Sequence, residues 1–130
     1  MSREELTRAL QADPAEARRI LARVWETGSP VDRCAAAHWL ADRQDCARDE
    51  LAWDLRALEA ARAAEPAEVR GFFPSLHLNL GDVYRRLGDL PRAREHLAAA
   101  QAVLDTLADD DYGRMIRGGV ARLADRLGQG

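Results

Sequence analysis

The chain has 130 residues, 47% hydrophobic and 32% charged, with a formal charge of -3. That suits one domain with a core of its own and is too apolar for a disordered segment. No apolar run approaches the roughly 18 residues of a membrane span, and acidic and basic residues interleave without a polybasic arm, so neither a membrane nor direct nucleic-acid binding is expected.

All the Lys+Arg charge is Arg, and Ala is abundant, as in a GC-rich bacterial coding sequence; Ala, Leu, Arg and Glu all favour helix. The charged start Met1-Ser2-Arg3-Glu4-Glu5 has no signal-peptide pattern, so a cytoplasmic location is expected. Cys34 and Cys46 form no metal pattern, and in a reducing compartment both are expected as thiols.

The elements follow one another as helices with short, marked breaks. Ser2 and Glu5 form a capping box before a short helix carrying Leu6 and Leu10 and ending near Gln11. Asp13-Pro14-Ala15-Glu16 starts a second helix, with the stripe Ala17, Leu21, Val24 and Trp25, and Gly28 ends it. Ser29-Pro30 starts a third, with Val31, Cys34, Ala35 and His38 as its stripe and Trp39 and Leu40 on a flanking face. A turn at Asp42–Asp45 leads to a fourth helix, with Ala47, Leu51, Leu55 and Leu58 at helical spacing, running to about Ala64.

The stretch from Glu65 to Pro74 is the longest break; Val69, Phe72 and Phe73 make it too apolar for a free linker, so it should cover a helix end or an open edge. Pro74 opens a fifth helix with Leu76, Leu80, Val83, Tyr84 and Leu87, and Gly88-Asp89 turns the chain. Pro91 opens a sixth with Ala93, Leu97, Ala100 and Leu104. Asp109–Asp111 cap a last helix with Tyr112, Ile116, Val120, Leu123 and Leu127. Gly118 and Gly119 sit inside it, each costing about 1 kcal/mol relative to Ala, which predicts a weak point or a closely approaching neighbour. Trp25 reads as core, while Trp53 lies off its helix's leucine stripe and fits either packing against a neighbouring hairpin or an exposed patch.

Residues 74–107 carry His77, Leu80-Gly81, Tyr84, Gly88, Ala93, Leu97 and Ala100 at the spacing of a tetratricopeptide repeat. This segment resembles that family, with His in place of the usual Trp, Leu in place of an aromatic and the closing Pro missing. Residues 29–64 fit the same frame less well: Cys34, Ala35, His38, Asp42, Ala47 and Leu51 fall on Leu80, Gly81, Tyr84, Gly88, Ala93 and Leu97, offset by 46 residues against the usual 34. The resemblance implies an all-α, α-α superhelix of about seven antiparallel helices in one domain: a divergent hairpin over 1–28, a degenerate repeat over 29–64, a clear repeat over 74–107 and a capping helix over 108–130. Gly81 and Ala93 would be small because two antiparallel helices cross closely there.

Catalytic signals are missing. His38, His77 and His96 sit on three helices without ligand spacing and read as packing histidines. No nucleophile elbow, phosphate-binding glycine loop or paired-cysteine motif appears, and Asp109–Asp111 lacks the spaced oxygens of a calcium loop, reading instead as a helix cap. No catalytic residue, metal or cofactor is expected.

By the resemblance, the first helix of each hairpin lines a concave groove. Its lining would be Ser75, Leu78, Asn79, Asp82, Arg85 and Arg86 in the clear repeat, with Trp39, Leu40 and Arg43 (beside Ala36) from the degenerate one. Asn79 would bind peptide backbone and the arginines would grip carboxylates, so the expected function is a protein-interaction module or adaptor holding an acidic or C-terminal segment. The alternatives are a self-associating structural or regulatory protein, in which an open end pairs with its twin as a homodimer, or a small-molecule-binding protein or enzyme on the same scaffold.

Overall fold

The computed structural model describes residues 2–128. The side chains of Ser2 and Arg3 are outside that description, and the Ser2–Glu5 capping box lies outside it with them. The chain divides into two compact units, Met1–Val69 and Arg70–Gly130, and the division falls within the 65–74 break. Among the described residues every regular element is helical, and no helix is long and apolar enough to cross a membrane.

The first unit holds α1 (Ser2–Gln11), α2 (Pro14–Thr27), α3 (Pro30–Ala41), α4 (Ala47–Ala63) and the single turn α5 (Pro66–Val69). Starts are set by local chemistry. The Asp13 carboxylate accepts the Glu16 amide at 3.0 Å, and the Ser29 hydroxyl accepts the Asp32 amide at 3.4 Å, each followed by Pro at the first helical position. Successive helices pack as neighbours, α1 on α2, α2 on α3 and α3 on α4. The core between the first three joins Leu6, Ala9, Ala17, Ile20, Leu21, Val24, Ala36 and Leu40, with Trp39 and Trp53 packed against it.

Two expected stripes are rotated. On α4 the buried face is Asp54, Ala57, Leu58, Ala60 and Ala61, while Leu55 is 41% exposed and Ala47 and Leu51 are half-buried. On α3 the buried set is Cys34, Ala36, Ala37, Leu40 and Ala41. Both helices turn alanines inward, because small side chains let two helix backbones approach. Leu10 is exposed too, and Ala9 takes the core position of α1.

Burial pushes the Cys34 thiol up to about 12, whereas Cys46, before α4, is exposed. Thiolate is the reacting form, so one thiol per folded chain is expected to react with a disulfide reagent at pH 8, the second only on unfolding. Titrating thiols in native buffer and in denaturant checks this.

The second unit holds a 3-10 turn at Arg70–Phe72, then α6 (Phe73–Arg86), α7 (Leu90–Ala102), a second 3-10 turn at Leu104–Thr106, and α8 (Asp111–Arg126). Helix α6 ends in a two-bond cap: the Asp89 amide donates to Tyr84 O at 2.9 Å and the Gly88 amide to Arg85 O at 3.0 Å. Gly88 sits at φ +84°, a left-handed conformation that glycine adopts without penalty. The Asp89 carboxylate then accepts the Arg92 amide at 3.2 Å and starts α7, and Asp110 does the same for α8 through the Gly113 amide at 2.7 Å.

Helices α6 and α7 form the closest hairpin of this unit. A Cβ on Gly81 would lie 3.4 Å from Ala93 O and 3.6 Å from Leu97 N, so the two backbones meet at Gly81 and Ala93. The same Cβ would be 2.7 Å from Leu123 Cδ2, which brings α8 to this point as well. Ala93, Leu97, Ala100, Ile116, Val120, Leu123, Ala124 and Leu127 form the core, with Leu78, Tyr84 and Leu104 against it.

Three positions of the expected stripes differ here. Tyr112 is 47% exposed and Gly113 takes the inward position, Leu87 is exposed, and Leu104 belongs to the second 3-10 turn because α7 stops at Ala102. The glycine pair of α8 divides its roles. Gly119 meets Leu78 of α6, 2.7 Å from where its Cβ would be, whereas Gly118 meets only the Arg122 guanidinium of its own helix, at 3.2 Å.

Candidate functional site

The groove residues expected from the sequence fall in both units. In the first unit, Leu40 is 4% exposed and belongs to the core. Trp39 is half-buried against that core. Arg43 closes the end of α3, its Nη1 donating to Trp39 O at 3.0 Å, and Arg18 Nη2 donates to Arg43 O at 2.7 Å. Backbone carbonyls left open at a helix end attract such donors.

In the second unit, Ser75 is buried and its hydroxyl donates to Phe72 O at 2.9 Å. Leu78 packs on Gly119, and Asn79 is half-buried. The polar surface of α6 is concentrated at its last turns. Asp82 Oδ1 accepts Arg85 Nη2 at 2.9 Å, and its Oδ2 accepts Arg86 Nε at 3.0 Å. Arg126 of α8 brings a third guanidinium to 3.9 Å from Asp82 Oδ1. Spacings of three and four residues place Asp82, Arg85 and Arg86 on one helix face, and the packing of α8 on α6 adds Arg126.

One carboxylate among three guanidiniums leaves this patch with a formal charge of +2. Half-exposed pairs of this kind contribute only about 0.2–1 kcal/mol each to stability. Their consequence is orientation: a carboxylate that holds several arginine side chains reduces the entropy an incoming anion must remove. No sequence signal marked Arg126, since nothing local ties it to Asp82.

Next to this patch, between α6 and α7, lies an aromatic row. His77 Nδ1 and His96 Nδ1 are 3.0 Å apart, and the ring centroids are 5.3 Å apart with planes at 27°. The centroid separation is close to the nitrogen separation plus two ring radii, so the nitrogens lie near the line joining the rings. One must donate and the other accept. Phe73 stacks on His77 at 6.2 Å and Tyr84 on His96 at 5.6 Å, and Arg92 lies 5.9 Å from the Tyr84 centroid. His77 is 9% exposed. The pair therefore packs the hairpin, and no group of three or more metal-ligating side chains is found among the described residues. The sequence placed His77 on a packing position but contained no sign of its partner, which is 19 residues away.

In the first unit, Trp25 and Trp53 meet edge-to-face at 5.6 Å, with Arg33 over Trp25 at 4.2 Å and Arg56 over Trp53 at 4.5 Å. Trp53 thus packs on α2, and neither Trp is wholly inside. Asp54, a carboxylate that no stripe flagged, is buried.

Burial lowers the pKa of His38 from its ordinary 6.5, an effect the Asp42 carboxylate partly offsets. A histidine with a lowered folded pKa contributes stability that is fully present above its unfolded pKa. The unfolded chain binds the proton first, so that contribution is lost as pH falls below about 6.5. The variant His38→Gln is expected to show a flatter stability–pH curve than the parent over this range, measured by denaturant unfolding with tryptophan emission as the reporter.

No protein family, curated protein or solved structure matches this chain.

Proposed function

We propose that this chain is a protein-interaction module of tetratricopeptide-repeat type, and that the α6–α8 face of its second unit holds an acidic segment of a partner. The observation that carries the reading is the Asp82 cluster: Arg85, Arg86 and Arg126 around one carboxylate at 2.9, 3.0 and 3.9 Å. Arginine forks match carboxylates bidentately, and guanidiniums already oriented lose little freedom on binding. The repeat reading rests on the close crossing at Gly81 and Ala93 and on the inward burial of Leu80 and Leu97, the positions at which such hairpins use small and large residues. A cytoplasmic setting fits a module of this kind.

The test compares the parent with Arg85→Glu/Arg126→Glu, both shown folded by circular dichroism. Fluorescent acidic peptides, rich in Glu and Asp and with free or amidated C-termini, are titrated by anisotropy. The parent is expected to bind at least one class with affinity that weakens with salt, and the variant to lose tenfold or more. Equal binding by both proteins, or a preference for basic peptides, removes the reading. Free against amidated C-termini separates an end-binding site from one that takes an internal acidic stretch.

A further inference from the structure

The histidine pair of the second unit is placed by the hairpin crossing. His77 precedes Gly81 by one turn of α6, and His96 follows Ala93 by about one turn of α7. The two helices run antiparallel, so both rings reach across the gap just beyond the point where the backbones meet. The lone pair of an imidazole nitrogen lies in the ring plane and points away from the ring centre. Both Nδ1 atoms lie near the line joining the centroids, 3.0 Å apart, and the planes differ by 27°. The two lone-pair directions are therefore nearly collinear and opposed, with one proton between them.

Opposed imidazole nitrogens are also a donor set for a transition-metal ion, and the number of donors selects which one. Zinc takes three or four protein ligands, and Cu(II) and Ni(II) take a tetragonal set of nitrogens and oxygens. Among the described residues no third metal-binding side chain joins the pair. A soft d10 ion of single charge, Cu(I), is satisfied by two collinear nitrogens. The surroundings favour the same oxidation state. Phe73 lies against His77 and Tyr84 against His96, and His77 is only 9% exposed, so the water and oxygen ligands that Cu(II) prefers are kept off. Arg92, the guanidinium near Tyr84, is paired with Asp89 at 2.8 Å, so its charge is already met.

We propose that His77 and His96 form a two-coordinate site for Cu(I), held in line between their Nδ1 atoms. Imidazole nitrogens bind first-row ions at roughly 2 Å, so a linear N–Cu–N unit spans roughly 4 Å and the nitrogens must part by about 1 Å. His96 is half-buried on α7, and rotation of its side chain supplies that movement while the backbones stay pinned at Gly81 and Ala93. The proton balance is simple. The ring that donates in the metal-free pair gives up its Nδ1 proton and takes one up at Nε2. Both rings stay neutral, and the site gains the single charge of the ion.

The test uses the full chain with Cys46→Ser, because that exposed thiol would itself take a soft ion. Cu(I) is supplied without oxygen, with ascorbate present, as its coloured ferrozine complex. The expected result is transfer of one Cu(I) per chain, with an X-ray absorption edge of a linear site having two nitrogen neighbours. Long-range 1H–15N spectra are expected to show the Nδ1 resonances of His77 and His96 moving together while those of His38 stay. His77→Gln and His96→Gln are each expected to weaken binding a hundredfold or more, and His38→Gln to leave it unchanged. Zn2+ at equal concentration should leave the pair's resonances in place. Copper that stays with ferrozine, a sulfur neighbour in the absorption spectrum, or binding that survives both variants overturns the proposal. The ring spectra of the parent decide the matter without any variant should a histidine substitution disturb the fold, and none of these outcomes depends on whether acidic peptides bind.

Discussion

Gly113→Ala is expected to lower the stability of the second unit by about 3 kcal/mol, an unusually large penalty for one methyl group. The added Cβ would lie 2.0 Å from Ala108 O and 3.2 Å from Ala108 C, both backbone atoms, so no side chain can rotate aside. Relief requires the start of α8 to move away from the preceding loop. That movement breaks two anchors: the Asp110 cap on the Gly113 amide at 2.7 Å, and the Arg117 guanidinium that donates to the carbonyls of Leu104, Leu107 and Ala108 at 3.3, 3.0 and 3.3 Å. A cap alone is worth about 1 kcal/mol. Gly118→Ala is the internal control. Its Cβ meets only a flexible guanidinium, so it is expected to stabilise by about 0.5–1 kcal/mol through helix propensity. Urea unfolding followed by far-ultraviolet circular dichroism, with hydrogen exchange of the α8 amides, measures both, and a near-neutral Gly113→Ala would mean that the loop yields freely.

Leu97→Ala is expected to cost about 3–4 kcal/mol. Leu97 is 0% exposed, and its side chain joins α7 to α8 through the cluster that contains Ile116, Val120 and Leu123. Its backbone is also pinned at the Gly81 crossing, with Leu97 N 3.6 Å from the Gly81 Cβ position, so α7 cannot slide to fill the void. The cavity term is therefore retained in full. Leu87→Ala, on the same unit at an exposed leucine, should cost less than about 1 kcal/mol. Equilibrium unfolding of both variants checks the contrast. Similar losses for the two would show that the core is less tightly packed around Leu97 than its burial implies.

Much of the fold was legible from residue order. Asp13-Pro14, Ser29-Pro30 and the Asp109–Asp111 run start helices as expected, the expected turn at Gly88-Asp89 has Gly88 in the left-handed conformation with Asp89 also capping α7, and Gly81 sits against Ala93. The face of α4 was only partly legible: Leu58 is inside as its stripe predicts, but Leu51 and Leu55, which outweigh alanines on any hydrophobic count, give way to Ala57, Ala60 and Ala61. In an alanine-rich chain the apolar contrast between faces is weak, and close approach of helices rewards small size over hydrophobicity. For the candidate site, Asp82, Arg85 and Arg86 share a face by spacing alone, but Leu40 and Leu78, read as groove lining, are respectively a core residue and a partner of Gly119.

What residue order determines in this protein is where each helix begins and ends and where two of them can touch. Caps and turns act over three or four neighbouring residues, so their chemistry is written consecutively. What only the folded chain decides is which groups from separate helices meet: Arg126 at Asp82, His96 at His77, Trp53 at Trp25. Those meetings depend on the angle and rotation at which whole helices pack, and that is set by the summed burial of many small side chains rather than by any single motif.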